Sequence, residues 1–431
     1  MNSEYDKIIK LNSLIVALII LAPTLSDTLA NGLGVATGAN LYTLIAIIGL
    51  YMVKIVKQAS GEIKLEWNFT YKTAIILLLV LILYFFTRYT SGGEHNYSII
   101  QLLFYAIIPI LATTIEIKTE YVLRYAVYMS FLTIIGLEGF FHIRWSGVEQ
   151  ADMGKVYSLV TVLTCTLFHI RYYRNKSNLF MKLCYLYNGY VLVRVLMVAN
   201  RGALLAILFT IYVAFIYKFD DSGQMKRQTT KKILIISITI AVSLVIANNL
   251  GEIIDWAIGV CSDLFGSAPA ALRKMRLYIR ADDVSNGRSD INEVVYKAIK
   301  ESPIIGHGLN MFMPYTNNAY PYPHNFILQY LFEGGILFAA LPVFYSVGAL
   351  VKVLLSQVKQ KEQFVFVAML VCQCFPKLLV STNVWLVTAI WMLVVYSANN
   401  LFDSSRKRVI NARSKKHLEN TRRTNFKNLL S

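Results

Sequence analysis

Charge is what this sequence has least of. Only 16% of its residues are charged and 56% are hydrophobic, against about 25% and about 45–50% in an ordinary soluble protein. Mean hydropathy is +0.51. A chain so poor in charge needs a membrane as the solvent for most of its 431 residues, and counting domains by length does not apply to it. Cysteine is scarce as well. Cys165, Cys184, Cys372 and Cys374 lie inside apolar runs, where cysteine behaves as a small hydrophobe. Cys261 stands apart from them with no obvious disulfide partner, and no spacing resembles a zinc site. There is no Walker A run, no glycine-rich dinucleotide fingerprint and no nucleophile elbow. Asp282 and Asp283 are paired acids, but no histidine cluster gives them metal-ligand spacing. No cofactor and no metal are expected. Internal repeats and low-complexity tracts are absent too.

Acids are scarcer than bases, 25 against 42, which leaves a net charge of +17. Such an excess can mark a nucleic-acid partner, but its distribution argues against one. The bases fall in alternate connections between apolar runs and in the tail, which is the pattern of topology signals on a cytoplasmic face.

The apolar runs come next. Those long enough to cross a bilayer as helices lie near 11–29, 38–57, 71–89, 97–115, 121–143, 154–173, 178–199, 202–218, 231–249, 325–355, 362–380 and 383–401; each has the roughly 20 residues that a hydrocarbon core of about 30 Å requires. The first reads as a retained helix, not a cleaved signal peptide. Lys54, Lys57, Lys64 and Lys72 flank the second connection, Arg171, Arg174, Lys176 and Lys182 the sixth. Lys218, Lys226, Arg227, Lys231 and Lys232 crowd the eighth, and Lys352, Lys359 and Lys361 mark the tenth. All are even-numbered, so both termini are expected in the cytoplasm. The expected organisation is an all-α polytopic membrane protein of about twelve transmembrane helices. It divides into an N-terminal bundle over 1–249, a large external loop over 250–324, C-terminal helices over 325–401 and a basic tail over 402–431.

The loop is mostly helical by pattern. Ile253, Ile254, Ala257, Ile258 and Cys261 fit one helix face, 268–281 forms a second helix, and 289–301 a third with Ile291, Val294, Val295 and Ile299 on one side. Pro303, Gly306 and Gly308 then end that helix and open an irregular stretch. Tyr and Pro dominate YTNNAYPYPHN before the chain re-enters the membrane.

Polar candidates gather at this outer side. Arg201 follows Asn200 at the outer end of the seventh run, in NRGALLA, and Arg194 lies seven residues earlier. An arginine inside a spanning helix is costly, so Arg194 is either snorkelling, ion-paired (Glu138 is a counter-charge) or functional. Arg201, beside a small-residue step, reads as functional. Arg288, in SNGRSDINE, is either a surface charge or part of an anion site with the helix start that Ser289 or Asp290 caps. In the stretch Arg273, Lys274, Arg276, Arg280 the three arginines are spaced for one side of a helix. They fit an interfacial helix on anionic headgroups or a track for an acidic glycan. His324, between Pro323 and Asn325 where the loop meets the tenth run, is able to accept a proton near neutral pH; a structural histidine is the competing reading. Nothing local separates it from His95, His142 or His307.

The run GRSDINEVVYKAIKESPIIGHGLNMF, followed by PHNFILQYLFEGGILF, resembles the signature region of the bacterial O-antigen polymerase and O-antigen ligase superfamily. The resemblance covers about 286–340, with NRGALLA at 200–206 matching more loosely. It implies a GT-C-like membrane glycosyltransferase of the bacterial inner membrane. Such an enzyme uses an undecaprenyl-diphosphate-linked oligosaccharide amid membrane lipid, without nucleotide sugar or metal, and a chain-length regulator is a candidate partner. Arg288 and Arg201 then match the arginines implicated in holding the donor diphosphate, and His324 the histidine proposed to activate the acceptor hydroxyl. Arg194, Arg273, Arg276, Arg280 and Asn325 are carried as substrate-binding candidates. Glu333, Gly334 and Gly335 match an acidic-glycine step read as structural. Gly335–Ile336–Leu337–Phe338 lacks a further glycine that many members carry near its last position, a difference that bears on packing.

The chemistry agrees. Arginines aimed at a departing diphosphate stabilise its developing charge, a base takes the proton of the attacking hydroxyl, and in-line attack inverts the anomeric centre. A repeat-unit polymerase is expected, with the ligase that hands finished polymer to lipid A–core as the alternative. A lipid-linked sugar flippase fits less well, because transporters place charge near the midplane and show paired halves.

Overall fold

In the computed structural model the described residues are 2–32, 49–54, 68–91, 102–138, 153–173, 179–198, 201–215, 249–268, parts of 272–279, 288–355, 360–380 and 383–401. Among them helix is the regular structure and no strand occurs. The helices are α1 (Asn2–Gly32), α2 (Tyr71–Ser91), α3 (Ile108–Ala112, entered through a π turn at Leu103–Ile107), α4 (Thr119–Glu138), α5 (Met153–Tyr172) and α6 (Leu179–Val198). They continue with α7 (Arg201–Phe215), α8 (Leu250–Phe265), α9 (Arg288–Glu301), α10 (Phe312–Tyr315), α11 (Phe326–Leu354), α12 (Lys361–Val380) and α13 (Thr388–Tyr396).

Tyr5–Ser26, Phe326–Leu354 and Lys361–Leu379 are long and apolar enough to cross a membrane. Shorter apolar helices at Tyr71–Thr87, Leu103–Ala112, Val156–Tyr172, Leu179–Val193 and Gly202–Phe215 occupy further expected runs. The run 231–248 and most of 38–57 lie outside the described residues. The coarse expectation of an all-α membrane protein therefore holds. The last run, 383–401, is not one regular helix: a 3-10 turn at Val384–Leu386 precedes α13, and a π turn at Ser397–Leu401 follows it.

Burial explains the arrangement. α12 and α13 are hydrophobic all round, and residues 364–376 and 387–395 are buried without interruption. A helix without a polar face belongs inside a bundle, and α12 packs against α5, α7, α11 and α13. On α6, by contrast, Leu179, Leu183, Leu186 and Val193 are exposed, as expected of a face turned to lipid.

Polar contacts gather at two ends. At one, Tyr173 donates to Glu120 (2.8 Å), Thr119 to the Glu362 carbonyl (3.2 Å) and Lys361 to the Tyr172 carbonyl (2.6 Å). Lys118 pairs with Asp6 (3.5 Å), Lys72 reaches the Ala398 carbonyl (3.0 Å), and Lys352 reaches that of Leu401. Phe366 and Tyr396 touch near the same end, with ring centroids 5.1 Å apart. Bases from connections assigned to one side by charge thus meet in space. At the other end, the Leu309 N–H donates to Thr87 Oγ at 2.6 Å, fastening the loop to α2.

The loop carries a small core of its own. Ile291, Val295 and Ala298 line one face of α9 and pack on Phe312 and Phe332, with Val294 and Ile299 at the margin. This is the stripe expected for the third loop helix. α9 stops at Glu301, before Pro303 and the glycines, and α8 spans the first expected loop helix.

Candidate functional site: the seam between loop and broken helix

α11 is broken ten residues in, and the loop fills the break. Gly335 has φ 58° and ψ −165°, a region open essentially to glycine alone. A regular helix would bond the Ile336 N–H to the Phe332 carbonyl and the Leu337 N–H to that of Glu333. Here both rungs are split. The Phe332 and Glu333 carbonyls accept from the His307 and Gly308 N–H groups, at 2.7 and 2.8 Å. The Ile336 and Leu337 N–H groups donate to the Pro303 and Ile304 carbonyls, at 2.9 and 3.3 Å. The segment 303–308 thus inserts into the helix and satisfies the four backbone groups of these two rungs, as irregular backbone at membrane depth requires. Two glycines make the approach possible. A Cβ at Gly335 would stand 2.2 Å from the Ile304 oxygen, and one at Gly306, whose φ is 71°, 2.6 Å from the backbone of Glu333, Gly334 and Gly335.

Glu333 lies under this insertion. It is 1% exposed, and its carboxylate accepts from Gln329 Nε2 (3.0 Å), Trp385 Nε1 (2.5 Å) and the Asn310 N–H (3.3 Å). Backbone donors fix the amide orientations. The Val384 N–H donates to Gln329 Oε1 (3.1 Å) and the Trp385 N–H to Asn383 Oδ1 (3.0 Å), which turns Gln329 Nε2 toward Glu333 and Asn383 (2.8 Å). Three chain segments therefore meet on one acid.

At the head of α11 Asn325 is extended, and its Oδ1 accepts from the Ile327 and Leu328 N–H groups at 3.0 and 3.3 Å. The substrate-binding candidate is thus the helix N-cap. Asn325→Ala is expected to cost about 1 kcal/mol and Asn325→Asp much less, measured as a shift in the thermal melting of purified protein. His324 has φ 56°, left-handed backbone that a non-glycine residue keeps only where its surroundings over-determine it. Its ring lies 4.3 Å from that of Tyr322 and is half-buried.

The seam also separates two histidines that the sequence leaves equivalent. His307 stacks on Phe332 (4.8 Å, 18°), and its Nε2 donates to the Ala298 carbonyl at 2.8 Å. That ties its ring to the end of α9, whereas His324 directly precedes the N-cap of α11. Tyr315, which donates to Glu301 at 2.9 Å, has its phenol held above the usual range by burial and by that carboxylate. His95 and His142 lie outside the described residues.

The arginines divide likewise. Arg288 and Arg201 are the first residues of α9 and α7, and Arg194 lies within α6; the side chains of all three fall outside what is described. Arg280 lies outside the described residues. Arg273 is exposed, while Arg276 sits 2.5 Å from Asp255 and ties its segment to α8.

Sequence reasoning missed Gln329, Asn383 and Trp385. Gln329 stands one turn before Glu333, which is a readable helical pairing; the other two reach the site only through the tertiary fold.

A protein-family model described as O-antigen ligase matches residues 187–343, a span that takes in α7, the described loop helices, His324 and the broken start of α11 but ends before Trp385. Among curated proteins no match is found. Residues 187–343, the motif-bearing part of the chain, are thus similar to the O-antigen ligase family.

Proposed function

We propose that this protein is a polymerase of lipid-linked surface polysaccharide. It transfers a growing glycan from one undecaprenyl diphosphate onto the next lipid-linked repeat unit, at the outer face of the inner membrane. The observation that carries the reading is the seam itself, inside the matched segment. His324 is held in left-handed backbone at the capped start of α11, above a helix break that fastens the loop.

The charge distribution supports the orientation. Lys72, Lys118, Lys352 and Lys361 gather at the end opposite the seam, and the positive-inside rule assigns that end, with both termini, to the cytoplasm. The loop 250–324 then faces outward, between an N-terminal bundle and the C-terminal helices.

In this reading Arg288 and Arg201, each opening a helix, hold the donor diphosphate and stabilise the charge that develops as it leaves. His324 accepts the proton of the acceptor hydroxyl. The hydroxyl oxygen bonds to the anomeric carbon as the bond to diphosphate breaks, with inversion and without a metal. Arg288→Ala and Arg201→Ala are each expected to cut chain extension by about a hundredfold, the scale of losing one oxyanion donor, while the protein still inserts. Complementation of a deletion strain, read on a polysaccharide gel, checks this; an unchanged ladder removes that arginine from the mechanism.

The family model's own description, O-antigen ligase, favours a second reading, transfer of finished polymer to lipid A–core. The deletion strain separates them. Loss of a polymerase leaves single-repeat lipopolysaccharide, whereas loss of a ligase leaves bare core and accumulating lipid-linked polymer.

A further inference from the structure

We infer that Glu333 is a positioning residue: its buried carboxylate pins the inserted loop segment 303–310 into the gap of α11 and so sets the place of His324. This rests on the proposed role of His324, but its structural half stands independently.

Every described group bonded to this carboxylate is a donor: the Trp385 indole N–H, the Gln329 amide and the Asn310 N–H. The array suits the ionised form, because a carboxylate only accepts, and a buried charge is retained where hydrogen bonds satisfy it. The three donors come from three separate pieces. Asn310 belongs to the loop, two residues beyond Gly308, whose N–H bonds the carbonyl of the same Glu333. Gln329 belongs to the first turns of α11, whose N-cap follows His324 directly. Trp385 belongs to the turn before α13 and stacks with Trp391 and Phe338 in the bundle. One residue thus holds the loop with its backbone carbonyl and its side chain, and refers both to the rigid C-terminal helices. Without it the loop keeps its small core on α9 but loses its fixed register against α11.

Glu333→Gln tests this in the full-length protein, because it preserves volume while turning one acceptor oxygen into a donor that faces other donors. Hydrogen exchange of purified protein in lipid nanodiscs is expected to rise at least tenfold at the amides of His307, Gly308 and Asn310. Exchange in α12 should stay as in the wild type. Chain extension should fall at least tenfold in a complemented deletion strain, and Glu333→Asp, which keeps the charge, should recover part of both. Trp385→Phe, which removes one donor and keeps the ring, is expected to move exchange the same way by less. Unchanged protection of 307–310 in Glu333→Gln overturns the inference, even if transfer is lost. A rise in exchange that extends through α12 overturns it too, in favour of a merely structural acid. If the wild type itself extends no glycan, the functional reading fails and the exchange result still decides the role of Glu333.

Discussion

Gly335→Ala is expected to yield a chain whose loop cannot seat. The substitution demands left-handed backbone of a residue with a Cβ, about 1–3 kcal/mol, and drives that Cβ to 2.2 Å from the Ile304 oxygen. Relieving the overlap means moving 303–308 out of the gap, and with it the hydrogen bonds on both sides of the break, each contributing about 0.5–1.5 kcal/mol. The sum is about 4 kcal/mol or more, enough to lower the seated population by roughly a thousandfold. Gly189→Ala is the control, since a Cβ there meets nothing within 4 Å; it should be neutral or stabilise by up to about 1 kcal/mol. Thermal melting and polysaccharide output of the two variants should diverge, and similar behaviour would show that the insertion does not hold the loop.

The second large effect concerns His324. A residue that removes the acceptor proton contributes about 10²–10⁴-fold to rate, so His324→Ala and His324→Gly should both lose transfer by that factor. They should differ in stability. At φ 56° a side chain carries about 1–2 kcal/mol of strain, which glycine relieves, at a cost of about 0.5–1 kcal/mol in chain entropy. His324→Gly should therefore fold as well as the wild type while remaining inactive. His307→Ala should do the reverse, losing stability through the Phe332 stack and the Ala298 bond while keeping much of its rate per folded molecule. Melting curves beside turnover per folded protein check the pair. Full activity in His324→Gly would remove the histidine from the chemistry.

How far the sequence carried can be judged on α11. Hydropathy placed a run at 325–355, and the helix is Phe326–Leu354, because apolar length alone dictates a span. The break at Gly335 was not legible that way. A glycine in an apolar run reads the same whether it continues the helix or interrupts it, and the partner that fills the gap is about thirty residues away. The motif resemblance marked SPIIGHG and EGGILF as a pair without saying why; the split rungs between 303–308 and 332–337 supply the reason. The loop stripe on α9 was readable because a helix repeats every 3.6 residues. The N-cap role of Asn325 was also within reach, since an asparagine before an apolar helix is a start signal. The Trp385 contact was not: that residue approaches Glu333 only through the packing of α11 and α13. The bounds of the last run misled for a related reason, as 3-10 and π turns keep the hydropathy of a helix without its regularity.

Glycan transfer is tested by reconstitution of the purified protein in proteoliposomes with the undecaprenyl-diphosphate-linked repeat units that accumulate in its deletion strain. A polymerase gives a ladder of longer lipid-linked glycans and releases one undecaprenyl diphosphate per linkage formed, with no requirement for nucleotide sugar, and both products are lost in His324→Gly. Transbilayer movement of the lipid-linked unit with no glycan lengthened and no diphosphate released would contradict glycan transfer.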